Sequence, residues 1–266
     1  METDGYIFSD SEEDFERRRL SALEAIFDPA TKRRLERIGI GPGRRCLELG
    51  PGGGSVARWM CESVGDDGHV MAIDLDPKFL AEDDDPRLEV RAADIRTADL
   101  APDSVDIAHA RYVLVHIPEY ADVFETMLRA LKPSGWILIE DVDIISQAPS
   151  GDDADAAAIA RVFDSVGALF DEMGMDGTVG RRLPALFQRY GLRDIGVATD
   201  MPLVAGGSPM ARMMGMSLGH LATRLVGTGV ASSADMDVFA RCSADPTAWM
   251  YHYTTVAVWG RKPGPA

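Results

Sequence analysis

Cysteine is scarce in this 266-residue sequence: Cys46, Cys61 and Cys242 stand far apart. They make no CxxC pair, which excludes a zinc ribbon and a disulfide framework. Free thiols in a reducing compartment are the expectation. Long apolar runs are also missing, and none reaches the roughly 18 residues of a membrane span. The opening METDGYIFSDSEEDFERRR is polar and carries no signal-type apolar core, so a soluble, cytoplasmic protein is expected. Positive charge is in short supply, with 27 basic against 43 acidic residues and a formal charge of −16. Such a field repels phosphate backbones and disfavours a nucleic-acid partner. No repeat or low-complexity tract occurs. What remains is 46% apolar and 26% charged, an ordinary globular composition long enough to bury a full core.

Apolar spacing over 11–40 predicts helix, with Asp28-Pro29 expected to split it in two, since the residue before proline avoids helical dihedrals. An alternation follows. Strands are predicted at Arg45–Leu49, His69–Asp74, Leu88–Arg91, Val105–His109 and Trp136–Asp141. Helices are predicted at Gly53–Val64, Pro77–Ala81 and Tyr120–Leu131, and a turn at Pro133-Ser134-Gly135. Strands separated by helices at this spacing imply right-handed crossovers and a parallel sheet with helices on both faces. Further helices are expected at Asp155–Met173 and Val179–Tyr190, and strands at Leu192–Pro202 and His252–Arg261. Between those strands, 208–227 and 234–242 have helical spacing. That insertion is too long for an ordinary loop, and a helical cap is the expectation.

One motif carries chemistry. Residues 46–54 read CLELGPGGG: an apolar strand, then Gly50, Gly52 and Gly54 opening a helix. Glycines let the backbone turn sharply and let a ligand approach without a Cβ in the way. A helix N-terminus offers free N–H groups to a polar or anionic group. The dinucleotide pattern G-x-G-x-x-G fails, because Ser55 stands at its last position. Asp74 ends the second strand, where a carboxylate accepts from both ribose hydroxyls of an adenosine. Asp94, in RAADI after the third strand, falls near a base edge.

With CLELGPGGG, AIDLD, AADI, DIAHARYVLVHIPE and LKPSGWILIEDVD in that order, the sequence resembles the class I S-adenosylmethionine (SAM)-dependent methyltransferases. The match is close over about 40–142 and loose over 180–261. The resemblance implies a Rossmann-like, seven-stranded, mostly parallel sheet with its last strand antiparallel, helices on both faces and a helical cap. Its domains would be an N-terminal helical segment over the cofactor (1–40), a SAM-binding domain (41–261) with lid insertions at about 144–176 and 205–248, and a tail (262–266). Gly50, Gly52 and Gly54 would cradle the methionine part of SAM. Glu48 would orient that loop or take the amino group. Asp74 would hold the ribose, Leu75 would pack on the adenine, and Asp94 or the N–H of Ile95 would meet its ring. Arg111 sits where the family closes the methionine end. The N-terminus looks like the leader of a bacterial subgroup with small-molecule substrates, which makes Tyr6 and Arg19 candidate contacts. Their bland alternatives are an exposed aromatic and a solvated helix face.

The fourth strand ends in HARY and not in the Asn-Pro-Pro-Tyr type, so base flipping is not indicated. Asp141 and Asp143 suit a hard cation, but the fourth strand supplies no matching carboxylate, and no metal is expected. The implied activity is methyl transfer from SAM to an O, N or C nucleophile of a small, moderately apolar molecule, in specialised metabolism. A SAM-binding pericyclase or decarboxylase is the runner-up, followed by a protein or RNA methyltransferase. Of the histidines, His109 and His220 are the candidate bases; His69, His116 and His252 read as structural. Met210, Met213, Met214 and Met216 suit either a substrate pocket or ordinary packing. Expected partners are a small-molecule acceptor, no nucleic acid and no membrane, with a homodimer as the candidate assembly.

Overall fold

The computed structural model describes residues 6–9 and 11–264. Residues 1–5 and 10 of the N-terminal segment, and 265–266 of the tail, lie outside the described residues. The elements run α1 (Glu13–Arg37), β1 (Arg45–Leu49), α2 (Ser55–Val64), β2 (His69–Asp74), β3 (Leu88–Ala92), β4 (Val105–Arg111), α3 (Tyr120–Ala130) and β5 (Leu131–Asp143). They continue with β6 (Ala148–Pro149), α4 (Ala154–Glu172), α5 (Val179–Arg189), β7 (Arg193–Asp200), β8 (Leu203–Ala205), α6 (Pro209–His220), α7 (Ala222–Gly227), α8 (Ser233–Ala244), β9 (Trp249–Tyr251) and β10 (Thr254–Arg261).

Seven strands form one sheet in the order β3-β2-β1-β4-β5-β10-β7. β1 pairs in parallel with β2 and β4, β2 with β3, and β4 with β5. The last strand runs antiparallel. The chain just past β10 meets the start of β5 through Lys262 N–H to the Gly135 carbonyl (2.9 Å) and Ser134 N–H to the Lys262 carbonyl (3.1 Å). Alternation along the strands sends neighbouring residues to opposite faces. On one face Cys46, Val70, Ile107, Leu138 and Trp259 pack with Leu35 of α1 and Met60 of α2. On the other, Gly260 has no side chain where Phe187 of α5 comes close, and Phe187 lies 5.0 Å from Phe124 of α3. Burial raises the Cys46 and Cys61 thiols, Cys61 to about 11.

The chain divides into two compact units. The sheet unit comprises Phe27–Asp141, Val179–Ala198 and the described part of Val256–Ala266. The helical unit comprises the described part of Met1–Ile26, Val142–Thr178 and Thr199–Thr255. Both segments read as lid insertions from the sequence, 144–176 and 205–248, fall in the helical unit. There, β6, β9 and β8 form a small antiparallel sheet. Phe163 of α4 meets Phe239 of α8 edge-on at 5.8 Å, and Met210, Met213 and Met214 of α6 are buried. Met216 is half-buried.

Several expectations are corrected. α1 runs unbroken through Pro29. Proline removes one hydrogen bond there, and Asp28, Thr31 and Arg34, bonded to strand side chains described below, keep the turn after it helical. Pro77–Ala81 is a run of turns, not a helix, and an acidic stretch, EDDD, follows it. Pro133-Ser134-Gly135 lies within β5 as a distortion, with Ser134 at φ 65. The last strand starts at Thr254, so His252 precedes it. Among the described residues no helix is long and apolar enough to cross a membrane.

Candidate functional site

The glycine turn lies where β1 gives way to α2. Gly50, Gly52 and Gly54 have φ of 64, 57 and 88, all in the left-handed region that other residues rarely adopt. At Gly50 a Cβ would stand 2.3 Å from Val113 Cγ2. The turn is tied to β2: Gly50 N–H donates to the Ile73 carbonyl at 2.8 Å, and the Asp74 carboxylate accepts from the Gly52 and Asp76 amides. Burial raises the Asp74 pKa, and these amide bonds hold part of the rise back. Leu75, 59% exposed, presents an apolar side chain next to it. α2 begins at Gly54 without a side-chain cap. A helix start next to a glycine turn suits a polar or anionic group.

Other cofactor candidates group unevenly. Ala93 N–H donates to the Asp74 carbonyl at 2.8 Å, which brings the end of β3 beside the turn. Asp94 there is bonded to Arg96 (Nη2 at 2.8 Å), which lowers its pKa, and Ile95 is buried. Tyr6 and Arg19, in the helical unit, come together. Arg19 donates to the Tyr6 hydroxyl at 2.6 Å and to both Glu16 oxygens at 2.7 and 2.8 Å, and Tyr6 donates to Glu16. Glu16 already neutralises Arg19, so this trio adds no net positive charge.

Glu48, His109, Arg111 and Glu140 lie on one face of the sheet, because the parallel register pairs Glu48 with His109 and Arg111 with Glu140. Glu48 does not reach for the turn. Its Oε2 meets His109 Nδ1 at 2.7 Å, and His109 Nε2 meets Glu140 Oε2 at 3.2 Å. His109 is fully buried. Burial opposes its charge, but the two carboxylates outweigh burial and raise its pKa to about 9. At neutral pH it is an imidazolium donating to both sides. Glu140 also accepts from Thr31 and Arg34 of α1, and against the cost of burial these partners and His109 hold its pKa at about 2. Arg111 donates to Asp28 and to Thr31, each at 2.9 Å.

Thus His109, a candidate base, has both nitrogens engaged and no lone pair to offer. Arg111 is turned to α1. His220, the other candidate, is exposed at the end of α6 and stacks on Phe15 at 4.5 Å. Asp28, Thr31, Arg34 and Glu140 were not singled out from the sequence. The available signal was the two-residue period that puts Glu48, His109 and Glu140 on one face. Asp141 accepts from the Val115 amide at 3.2 Å and Asp143 from the Ile145 amide at 3.2 Å. Among the described residues no group of three metal-ligating side chains forms.

A family model described as a methyltransferase domain matches residues 47–139, from β1 into β5. That match, together with the methyltransferases named next, supports a class I SAM-dependent methyltransferase. An arsenite methyltransferase from Halobacterium salinarum is 30% identical over 152 residues, covering 52% of this chain and 38% of that protein. Among solved structures, a Haemonchus contortus phosphoethanolamine N-methyltransferase 2, in complex with phosphomonomethylethanolamine and S-adenosylhomocysteine, aligns at TM-score 0.60 and 18% identity. That alignment covers 94% of this chain and 58% of that one. The [4+2]-cyclase SpnF aligns at TM-score 0.52 and 17% identity, over 90% of this chain and 81% of its own. At such identities the likeness is one of fold, and fold alone does not fix the reaction. The chain spans between about a quarter and a half of the length of the curated relatives it matches.

Proposed function

We propose that this chain binds SAM over the glycine turn and transfers its methyl group to an O, N or C nucleophile of a small, moderately apolar molecule, in specialised metabolism. The observation that supports this most directly is the left-handed Gly50-Gly52-Gly54 turn held by Asp74, beside the uncapped start of α2. The residues fit the cofactor. The turn takes a left-handed path that glycines alone adopt readily, Asp74 keeps a carboxylate at the strand end for ribose hydroxyls, and exposed Leu75 offers a surface for the adenine. When bound, SAM supplies an electrophilic methyl on a sulfonium. The protein's part is to align the nucleophile, and such alignment supplies several kcal/mol, of the roughly 7–11 available to well-oriented pairs. The buried Glu48–His109–Glu140 cluster fixes the strands that carry the turn. It is a positioning device rather than a base.

Calorimetry and product analysis test this reading. The wild type should bind SAM. Asp74→Ala should lose charge-assisted hydrogen bonds, and affinity should drop by about 2–4 kcal/mol. With a panel of phenols and amines, S-adenosylhomocysteine should accumulate for at least one acceptor class. Unchanged affinity in Asp74→Ala sinks the site. SAM binding with no S-adenosylhomocysteine from any acceptor sinks methyl transfer.

A further inference from the structure

The helical unit holds a histidine that no interaction accounts for. His252 is fully buried, and neither ring nitrogen has a hydrogen-bond partner among the described residues. Its backbone N–H donates to Pro202, and the Phe163 ring stands edge-on at 6.1 Å. Gln147 has the same condition: its side-chain Oε1 is buried and unpartnered. The two belong together. In the small sheet Ala148 pairs with Tyr251 and Pro149 with Met250. One step further along that antiparallel register sets Gln147 opposite His252. Just beyond, one residue off that register, Thr254 N–H donates to Ser146 Oγ at 2.9 Å, so the two segments stay close.

Buried polar atoms are nearly always paired, because leaving one bare is costly. Three such atoms in one register position call for a partner from outside the chain. The chemistry of that partner is constrained. Burial alone pushes the His252 pKa down to about 4, with no charged group acting on it. The ring is neutral at ordinary pH and offers one N–H donor and one lone pair, beside the Gln147 carbonyl acceptor. A charged ligand would lie buried without a counter-charge. A neutral hydroxyl satisfies both kinds of group, since it donates once and accepts twice. The Phe163 ring supplies an apolar neighbour.

We propose that His252 and Gln147 form a hydrogen-bonding site for the neutral hydroxyl of a small, apolar-bodied ligand. Calling that ligand the methyl acceptor rests on the functional reading above.

The test uses the full chain with histidine labelled by nitrogen-15, and phenol and toluene as probes of one shape with and without a hydroxyl. Phenol should move the His252 ring signals saturably and bind at least 10-fold more tightly than toluene. His252→Phe and the milder Gln147→Leu should each bring the two probes within about 3-fold of one another. If phenol leaves the His252 signals in place, or the probes bind the wild type alike, the site does not exist. If the preference survives in whichever variants fold, it arises elsewhere. Titrating SAM into the same samples separates the two readings. Wild type that takes phenol selectively but not SAM keeps the hydroxyl site and removes its description as an acceptor site. The reverse result removes the hydroxyl site alone.

Discussion

The two units each bury one histidine completely, and they treat it in opposite ways. In the sheet unit His109 lies between Glu48 and Glu140, with Arg34 and Thr31 completing the cluster, and its pKa rises to about 9. In the helical unit His252 has no partner among the described residues, and its pKa falls to about 4. The same side chain at the same exposure differs by its surroundings alone. Helix starts show the converse contrast. In the helical unit α4, α6 and α8 begin on Asp153, Ser208 and Ser232, each with a side chain bonded to a first-turn amide, and only the short α7 starts, on Leu221, without one among the described helices there with a defined N-cap. In the sheet unit α2 and α3 begin on Gly54 and Glu119 without such a bond. Among the described residues, each unit has a place that bears on ligand binding. For the sheet unit it is the start of α2 next to the glycine turn. For the helical unit it is the pair His252 and Gln147.

The largest effect should come from breaking the satisfied cluster. His109→Leu leaves Glu48 and Glu140 buried and facing each other without the cation between them. Removing one partner of a buried ion pair costs about 3–5 kcal/mol. Denaturant unfolding should record a loss of that size, or no folded protein. A loss under 1 kcal/mol would mean that the cluster is not what ties β1, β4 and β5 together. His252→Leu should cost far less, and this inequality is the sharpest statement of the contrast.

Next in size is Gly50→Ala. A left-handed φ costs a residue with a Cβ roughly 1–2 kcal/mol, and Val113 stands in its way. The variant should fold with lowered stability and lose most SAM affinity, as read by calorimetry and circular dichroism. Full SAM affinity would mean that the turn does not cradle the ligand.

The pH dependence separates the two histidines further. His109 has a folded pKa raised above its ordinary value of about 6.5. Its contribution is fully present below pH 6.5 and is lost as pH rises through about 9. His252 has a depressed pKa, so its unfolded form binds the extra proton, and stability rises with pH between about 4 and 6.5. Unfolding free energy measured from pH 5 to 10 should therefore decline on the alkaline side, and His109→Gln should flatten that decline. An unchanged alkaline limb in His109→Gln would mean that His109 is neutral in the folded protein.

Much of the sheet unit was legible because its signals are local and periodic. Continuous apolar runs marked the strands, and glycine spacing with Asp74 marked the turn. The cluster around His109 was only half legible. Period two places Glu48, His109, Arg111 and Glu140 on one face, but which partners close on them depends on α1, and a proline hid the continuity of that helix. Asp28, Thr31 and Arg34 read as ordinary helix-surface residues until packing turned them inward. The helical unit was legible as helices, not as a structure. Its strands have two or three residues each, too few for alternation to register. Its β-branched and aromatic neighbours make His252 read as the first residue of the last strand. It stands instead in the break between the three-residue β9 and β10, where no sequence pattern signals burial without a partner.

The smallest expected effect probes the capping contrast. The Ser208 side chain accepts from the Ala211 amide at 3.2 Å, with Pro209 in the first turn of α6. An N-cap serine replaced by alanine typically loses about 1 kcal/mol. Ser208→Ala should lower the unfolding free energy by that amount and leave SAM affinity unchanged, because the bond stabilises one helix and touches neither glycine turn nor Asp74. Gly54 occupies the equivalent place in α2 and makes no such bond. Replacing it by serine could in principle cap α2, but its φ of 88 belongs to the left-handed region, and a Cβ there would stand 2.4 Å from Leu80 Cδ2. Gly54→Ser should therefore destabilise the protein rather than strengthen α2. If Gly54→Ser instead stabilises the protein and SAM still binds, the bare start of α2 is an accident of composition and not a feature kept for a ligand.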